Sequence, residues 1–156
     1  MADRKQELID SVEAARSEVL GPLAGLRPDQ WERPSANQGW SAKDTLAHLS
    51  SIESRLRIML QMVLDGGTWP ADAPDINTYN NQCVAERRAW PAVQVVEELR
   101  RSGDETRRFL ERLEPEDLDR RWTHPTRGEV TLAALVEIIA PHLRTHGEEI
   151  RAAVSS

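Results

Sequence analysis

The sequence is short of the residues that staple, anchor or broadly charge a chain. It holds one cysteine, Cys83, so no disulfide can close within it, which fits a reducing compartment. It has one tyrosine and one phenylalanine, and five tryptophans supply most of its 4% aromatic content. No apolar run is long enough to span a bilayer, and the opening Met1-Ala2-Asp3-Arg4-Lys5-Gln6-Glu7 is too polar for a signal peptide. Basic residues are outnumbered, 20 against 26 acidic ones, for a net charge of −6. An acidic surface repels phosphate backbones and anionic lipid. These absences predict a cytoplasmic protein with no nucleic-acid partner and no membrane partner.

What is present reads as one globular domain over residues 1–156, since 39% hydrophobic and 29% charged residues can build a single core. Four helical stretches alternate with Pro/Gly-bearing connections. The first runs from about Asp3 to Leu20, with Leu8, Val12, Ala15 and Val19 on one stripe and Gly21-Pro22 as its stop. A short helix follows near Pro28, and 33–39 reads as loop. The second starts at Ser41, an N-cap with Asp44 placed to reach back in a capping box. Its apolar face is Leu46, Leu49, Ile52, Leu56, Met59, Leu60 and Val63, and Gly66-Gly67 ends it.

A long connection separates helices two and three. The third stretch comes in two pieces, Asp75 to Arg88 and then from Pro91, a good N1 residue. Val93, Val96, Leu99, Thr106, Leu110 and Leu113 form its stripe. The fourth begins near Thr131, with Leu132, Leu135, Val136, Ile139, Leu143 and Ile150 inward; the segment before it, 122–130, reads as a loop or short hairpin. No stretch sustains strand alternation, so the expected fold class is all-α, a four-helix bundle.

Three of the four histidines fall where a bundle could use them. His142 and His146 are spaced i, i+4, which stacks both rings on one helix face beside the apolar stripe. His48 lies at the margin of the stripe on the second helix. Neutral imidazole is the common nitrogen ligand of Zn²⁺ and Ni²⁺, and three protein ligands leave open positions, as in a catalytic site. A histidine on an apolar face is more often a hydrogen-bonded boundary residue, so spacing alone leaves both readings open. His124, before Pro125, reads as surface. Pro141 precedes His142 and should bend the last helix by depriving the carbonyl of Glu137 of its donor. The bend is either tolerated or used to aim His142.

The motifs then carry a resemblance. Gly39-Trp40-Ser41-Ala42-Lys43-Asp44-Thr45-Leu46-Ala47-His48-Leu49 resembles the helix start of the DinB-like superfamily, the damage-inducible and thiol-transferase bundles. Pro141-His142-Leu143-Arg144-Thr145-His146-Gly147-Glu148-Glu149-Ile150 resembles its closing helix. The segment from Asp75 to Arg88, with Asn77, Tyr79, Asn80 and Asn81, is similar to the subgroup related to the mycothiol-dependent maleylpyruvate isomerase N-terminal domain. The resemblance implies a divalent ion, often zinc or nickel, held by His48, His142 and His146, together with frequent homodimers. It implies a small-molecule substrate, and a low-molecular-weight thiol such as mycothiol or bacillithiol for members that are thiol-S-transferases.

Two functions follow as expectations. In the first, the metal lowers the pKa of a bound thiol or water that attacks a small electrophile. The loops from Trp69 to Tyr79 and from Trp122 to Glu129 are then candidates for the pocket wall, and Trp40, Trp69, Trp90 and Trp122 either line it or plug the core. In the second, a non-catalytic stress-response module binds metal or a small molecule. Cys83 reads as a small buried or interface residue, and no acidic residue is assigned a catalytic role.

Overall fold

Most helices begin where a short polar side chain can take up a free backbone N–H. The computed structural model describes residues 3–37 and 39–155; Met1, Ala2 and Ser156 of the expected domain and Gln38 of the expected loop lie outside the described residues. Helix α1 (Arg4–Leu20) is capped by the side chain of Asp3, which accepts from Lys5 N–H. The short α2 spans Pro28–Trp31. Helix α3 (Ala42–Asp65) has the expected capping box: Ser41 Oγ accepts from Asp44 N–H, and Asp44 accepts from Ser41 N–H. It ends at Gly66, whose left-handed φ of 71° suits glycine. Asp75 caps α4 (Ile76–Arg87). Helix α5 (Ala92–Glu111) starts after Pro91, which caps it from an extended conformation instead of entering as N1. Thr131 caps α6 (Leu132–Val136), and α7 spans Ile139–Ser155.

Contacts along the four long helices give their directions. Lys5 Nζ donates to the carbonyls of Glu111 and Leu113, and Gly103 lies against Arg16, so α1 and α5 are antiparallel. Arg4 feels the charge of Glu137, while Glu18 pairs with Arg144 and Val19 touches Gly147, so α1 and α7 are parallel. His48 meets His142, and Asn37, just before α3, meets Glu149, so α3 and α7 are antiparallel. Lys43 reaches the carbonyl of Trp90 and Arg57 reaches Ser102, so α3 and α5 are parallel. The bundle therefore runs up, down, down, up.

Two parallel neighbours cannot be joined by a tight turn, and this is why the connection between α3 and α5 is long. Helix α4 carries the chain back along α3, with Tyr79 OH donating to the carbonyl of Ser51 at 2.9 Å. Arg55 pins the stretch before it. Its guanidinium lies 4.8 Å from the Trp69 ring centre and 4.7 Å from that of Tyr79, and it donates to the carbonyl of Pro74.

The core follows the expected stripes except at Ile52, which stays outside it, and at Val93. Val93 is 75% exposed, and Val95 takes its place in the buried row with Leu99, Thr106 and Leu110. At about 100° per residue, Val95 falls on the face of Leu99, whereas Val93 lies about 120° around the helix from it. The first half of α3 is buried all round, from Ala42 to Ser51, because α4 and the loop before α3 cover its polar side. Inside the bundle, Arg16 makes a bidentate pair with Glu53, which also accepts from Thr106 Oγ1. No stripe in the sequence marks this buried pair.

The last helical stretch is broken where one helix was expected. After α6 the chain turns through Glu137-Ile138, and the first bond of α7 runs from His142 N–H to the carbonyl of Ile138. Pro141 therefore lies in the first turn, where no intrahelical donor is lost. The expected bend is replaced by a break upstream of the proline. The strands β1 (Arg121–His124) and β2 (Gly128–Thr131) form an antiparallel hairpin beside this break, realising the hairpin alternative for that segment. No helix among the described residues is long and apolar enough to cross a membrane.

Candidate metal centre

The three histidines singled out in the sequence converge. His48 lies in the second turn of α3, 4% exposed; His142 and His146 occupy successive turns of α7, partly buried. Their ring centres are 5.1 Å (His48–His142), 4.9 Å (His48–His146) and 4.5 Å (His142–His146) apart. One nitrogen from each ring falls in a group whose members all lie within 4.8 Å of one another.

The closest approach is between His48 Nε2 and His142 Nε2, at 3.2 Å. Two nitrogens bound tetrahedrally to one zinc at about 2.05 Å each would stand about 3.3 Å apart. The pair therefore has ligand spacing. His146 Nδ1 lies 2.6 Å from Glu149 Oε2, which leaves Nε2 as the nitrogen it could offer an ion. That carboxylate also accepts from Asn37 Nδ2. His48 Nδ1 has no hydrogen-bond partner among the described residues. Three borderline nitrogen donors, two of them held neutral, suit a zinc- or nickel-like ion and leave positions for exogenous ligands.

Burial and mutual repulsion hold His48 and His142 neutral. Desolvation first, then the charges that His142 and His146 would carry, pushes His48 down to about 3. Desolvation and His146 push His142 down to about 4, partly offset by Glu149. Unprotonated imidazole is the form that can bind a metal.

The walls differ from those expected. Trp40 packs on His48, ring centres 5.0 Å apart. Trp69, stacked on Arg55, packs on Trp122, whose Nε1 donates to the carbonyl of Gly67 at the far end of α3. That is roughly 25 Å along the helix from His48. The Trp122–Glu129 segment is thus no wall of this centre, and Trp122 plugs the bundle's end. Trp90 faces a groove of about 540 Å³ between α2 and α5, away from the histidines. His124 stays out of the centre and closes the hairpin turn, its Nδ1 accepting from Thr126 and Arg127 N–H. Cys83 is half-buried on α4.

Sequence reasoning missed Glu149 and Asn37. Glu149 stands three residues after His146, a spacing that puts both on one helix face, and this was a usable signal. Asn37 had none.

The sequence profile of the DinB superfamily matches residues 11–150. The fold is similar to that of the mycothiol-dependent maleylpyruvate isomerase, with a TM-score of 0.81 and 11% identity over 96% of this chain and 63% of that one. It is also similar to YfiT from Bacillus subtilis, described as a probable metal-dependent hydrolase with an unusual four-helix bundle topology (TM-score 0.73, 18% identity, 99% and 90% covered). A third similar structure is the colibactin self-resistance protein ClbS in complex with double-stranded DNA (TM-score 0.76, 12% identity, 96% and 94% covered). No curated protein matches the sequence.

Proposed function

The chain belongs to the DinB superfamily, and on that premise we propose that it binds one divalent ion, zinc or nickel, through His48, His142 and His146. The observation that carries this is the 3.2 Å approach of the Nε2 atoms of His48 and His142, with a nitrogen of His146 within 4.8 Å of both. A divalent ion there would lower the pKa of a thiol or water molecule brought to it. The chain's own part is to hold three unprotonated nitrogens in place, to keep a proton on His146 Nδ1 through Glu149, and to shield one side of the centre with the Trp40 ring.

The first reading is a metal-dependent transferase that joins a low-molecular-weight thiol, such as mycothiol or bacillithiol, to a small electrophile. It draws support from a similar structure that is mycothiol-dependent. A second reading is a non-catalytic stress-response module binding metal or a small molecule. It is favoured by the carboxylate inventory: Glu149 is tied to His146 and Asn37, and the histidine cluster contains no free carboxylate among the described residues. A single domain, a cytoplasmic location and a homodimer belong to both readings. So does the absence of a nucleic-acid partner, which the net charge of −6 supports.

Elemental analysis of the purified protein and of His48→Ala tests the centre. One zinc or nickel per chain, lost in the variant, is the expected result; a metal content unchanged by the substitution sinks it. Turnover of thiol and electrophile pairs, dependent on metal and abolished in His146→Ala, separates the transferase from the module. Sedimentation reports the dimer, and a mobility-shift assay with duplex DNA across salt concentrations checks the excluded partner.

A further inference from the structure

Among the described residues, Glu149 is the one carboxylate hydrogen-bonded to the histidine cluster, and two partners hold the same oxygen of it. Its Oε2 lies 2.6 Å from His146 Nδ1 and also accepts from Asn37 Nδ2. The side chain is 23% exposed, turned in from the surface of α7. A glutamate free on a helix surface would keep its full hydration, whereas this one exchanges part of it for two fixed partners.

Asn37 is fixed in turn. Its backbone N–H donates to Ser35 Oγ at 3.1 Å, and its carbonyl accepts from Trp40 N–H at 3.0 Å. Ser35 Oγ also takes the hydroxyl proton of Thr45 at 2.9 Å, which ties the loop to the first turn of α3. A continuous run of hydrogen bonds therefore leads from α3 through Thr45, Ser35, Asn37 and Glu149 to the ring of His146 on α7. The three histidines are supported unequally: Glu149 fixes one face of His146, whereas His48 Nδ1 has no such acceptor among the described residues.

We infer that Asn37 and Glu149 form a positioning pair for His146, fixing its proton on Nδ1 and its Nε2 lone pair toward His48 and His142. The inference rests on the metal-binding reading above and adds which residues set the strength of the site. A carboxylate behind a ligating imidazole fixes ring and tautomer and makes the nitrogen a better donor; losing such a partner costs about 10- to 100-fold in metal affinity. The loop before α3 thereby takes part in the centre through Asn37, alongside Trp40, although neither residue offers a metal ligand.

The test has two readouts on the same proteins. In metal-free protein labelled with ¹⁵N-histidine at pH 8, long-range ¹H–¹⁵N correlations should show His146 as the Nδ1–H tautomer. Glu149→Ala should shift it toward Nε2–H, and Asn37→Ala should do so in part. Glu149→Gln retains an acceptor without the charge, and should fall between wild type and Glu149→Ala. Zinc affinity, measured by competition with a chromophoric chelator, should drop about 10- to 100-fold in Glu149→Ala and less in Glu149→Gln. Circular dichroism of the apo forms identifies a variant that fails to fold, in which case Glu149→Gln and Asn37→Ala carry the comparison. Wild-type tautomer and affinity in the folded variants would overturn the positioning pair while leaving the centre intact. No zinc binding by wild type, with His48→Ala indistinguishable from it, would overturn the centre itself and the pair's role in it.

Discussion

His48 and His142 are neutral inside the fold because a charged imidazole there would lose its water and face two others. The pH dependence follows in sign. Unfolded, each ring takes up a proton near 6.5; folded, His142 does so only near 4 and His48 only near 3. Between those limits the unfolded chain binds more protons, so stability is fully present above pH 6.5 and falls as pH drops toward 4. Metal-free protein should therefore have a lower urea midpoint at pH 5 than at pH 8, its unfolding free energy reduced by on the order of 2 kcal/mol for His48 alone. His142→Gln should flatten that slope, and a midpoint independent of pH would contradict the neutral cluster.

At the scale of the elements, close packing decides which substitutions the bundle tolerates. Gly147 lies on α7 where a Cβ would stand 2.8 Å from Val19 Cγ2 of α1. Gly147→Ala should destabilise by about 1–3 kcal/mol in urea denaturation, because overpacking outweighs the helix propensity gained. Gly103 similarly gives Arg16 its path to Glu53, since a Cβ there would lie 2.2 Å from Arg16 Nε. Glu53→Leu leaves that guanidinium buried without a counter-charge and should cost about 3–5 kcal/mol. The double variant Arg16→Met/Glu53→Leu should recover most of the loss, which a double-mutant cycle measures. Pro141→Ala should change stability by less than about 1 kcal/mol and leave zinc affinity unaltered, because the proline occupies a turn that needs no intrahelical donor.

For the whole molecule, the proposed centre joins two antiparallel helices, with one histidine from α3 and two from α7. A metal that binds only when those helices are packed is linked to folding. Zinc at 100 times its dissociation constant should add about 2.7 kcal/mol. For a chain of this size that raises the melting temperature by about 5–10 °C. His48→Ala should show no such rise, because α7 alone offers only His142 and His146. Nickel should behave alike in wild type if the three imidazoles are the whole protein contribution.

Local chemistry made much of this legible in advance. Ser41 and Asp44 carried the start of α3 in their side chains, the Gly66 turn carried its end, and the i, i+4 spacing put His142 and His146 on one face because helical periodicity alone requires it. The proline next to His142 was legible as a constraint, but the place where the chain would yield to it was not. Tertiary packing chose Glu137-Ile138, upstream, and so left His142 at the first bond of α7. Packing likewise brought Glu53 to Arg16 across 37 positions and set Asn37 against Glu149 across 112. Periodicity reports which face an element turns inward, whereas a hydrogen bond between distant elements depends on how those elements are packed. The sequence alone determined most helix starts and marked the three histidines; only the assembled bundle decided that their nitrogens meet and what stands behind them.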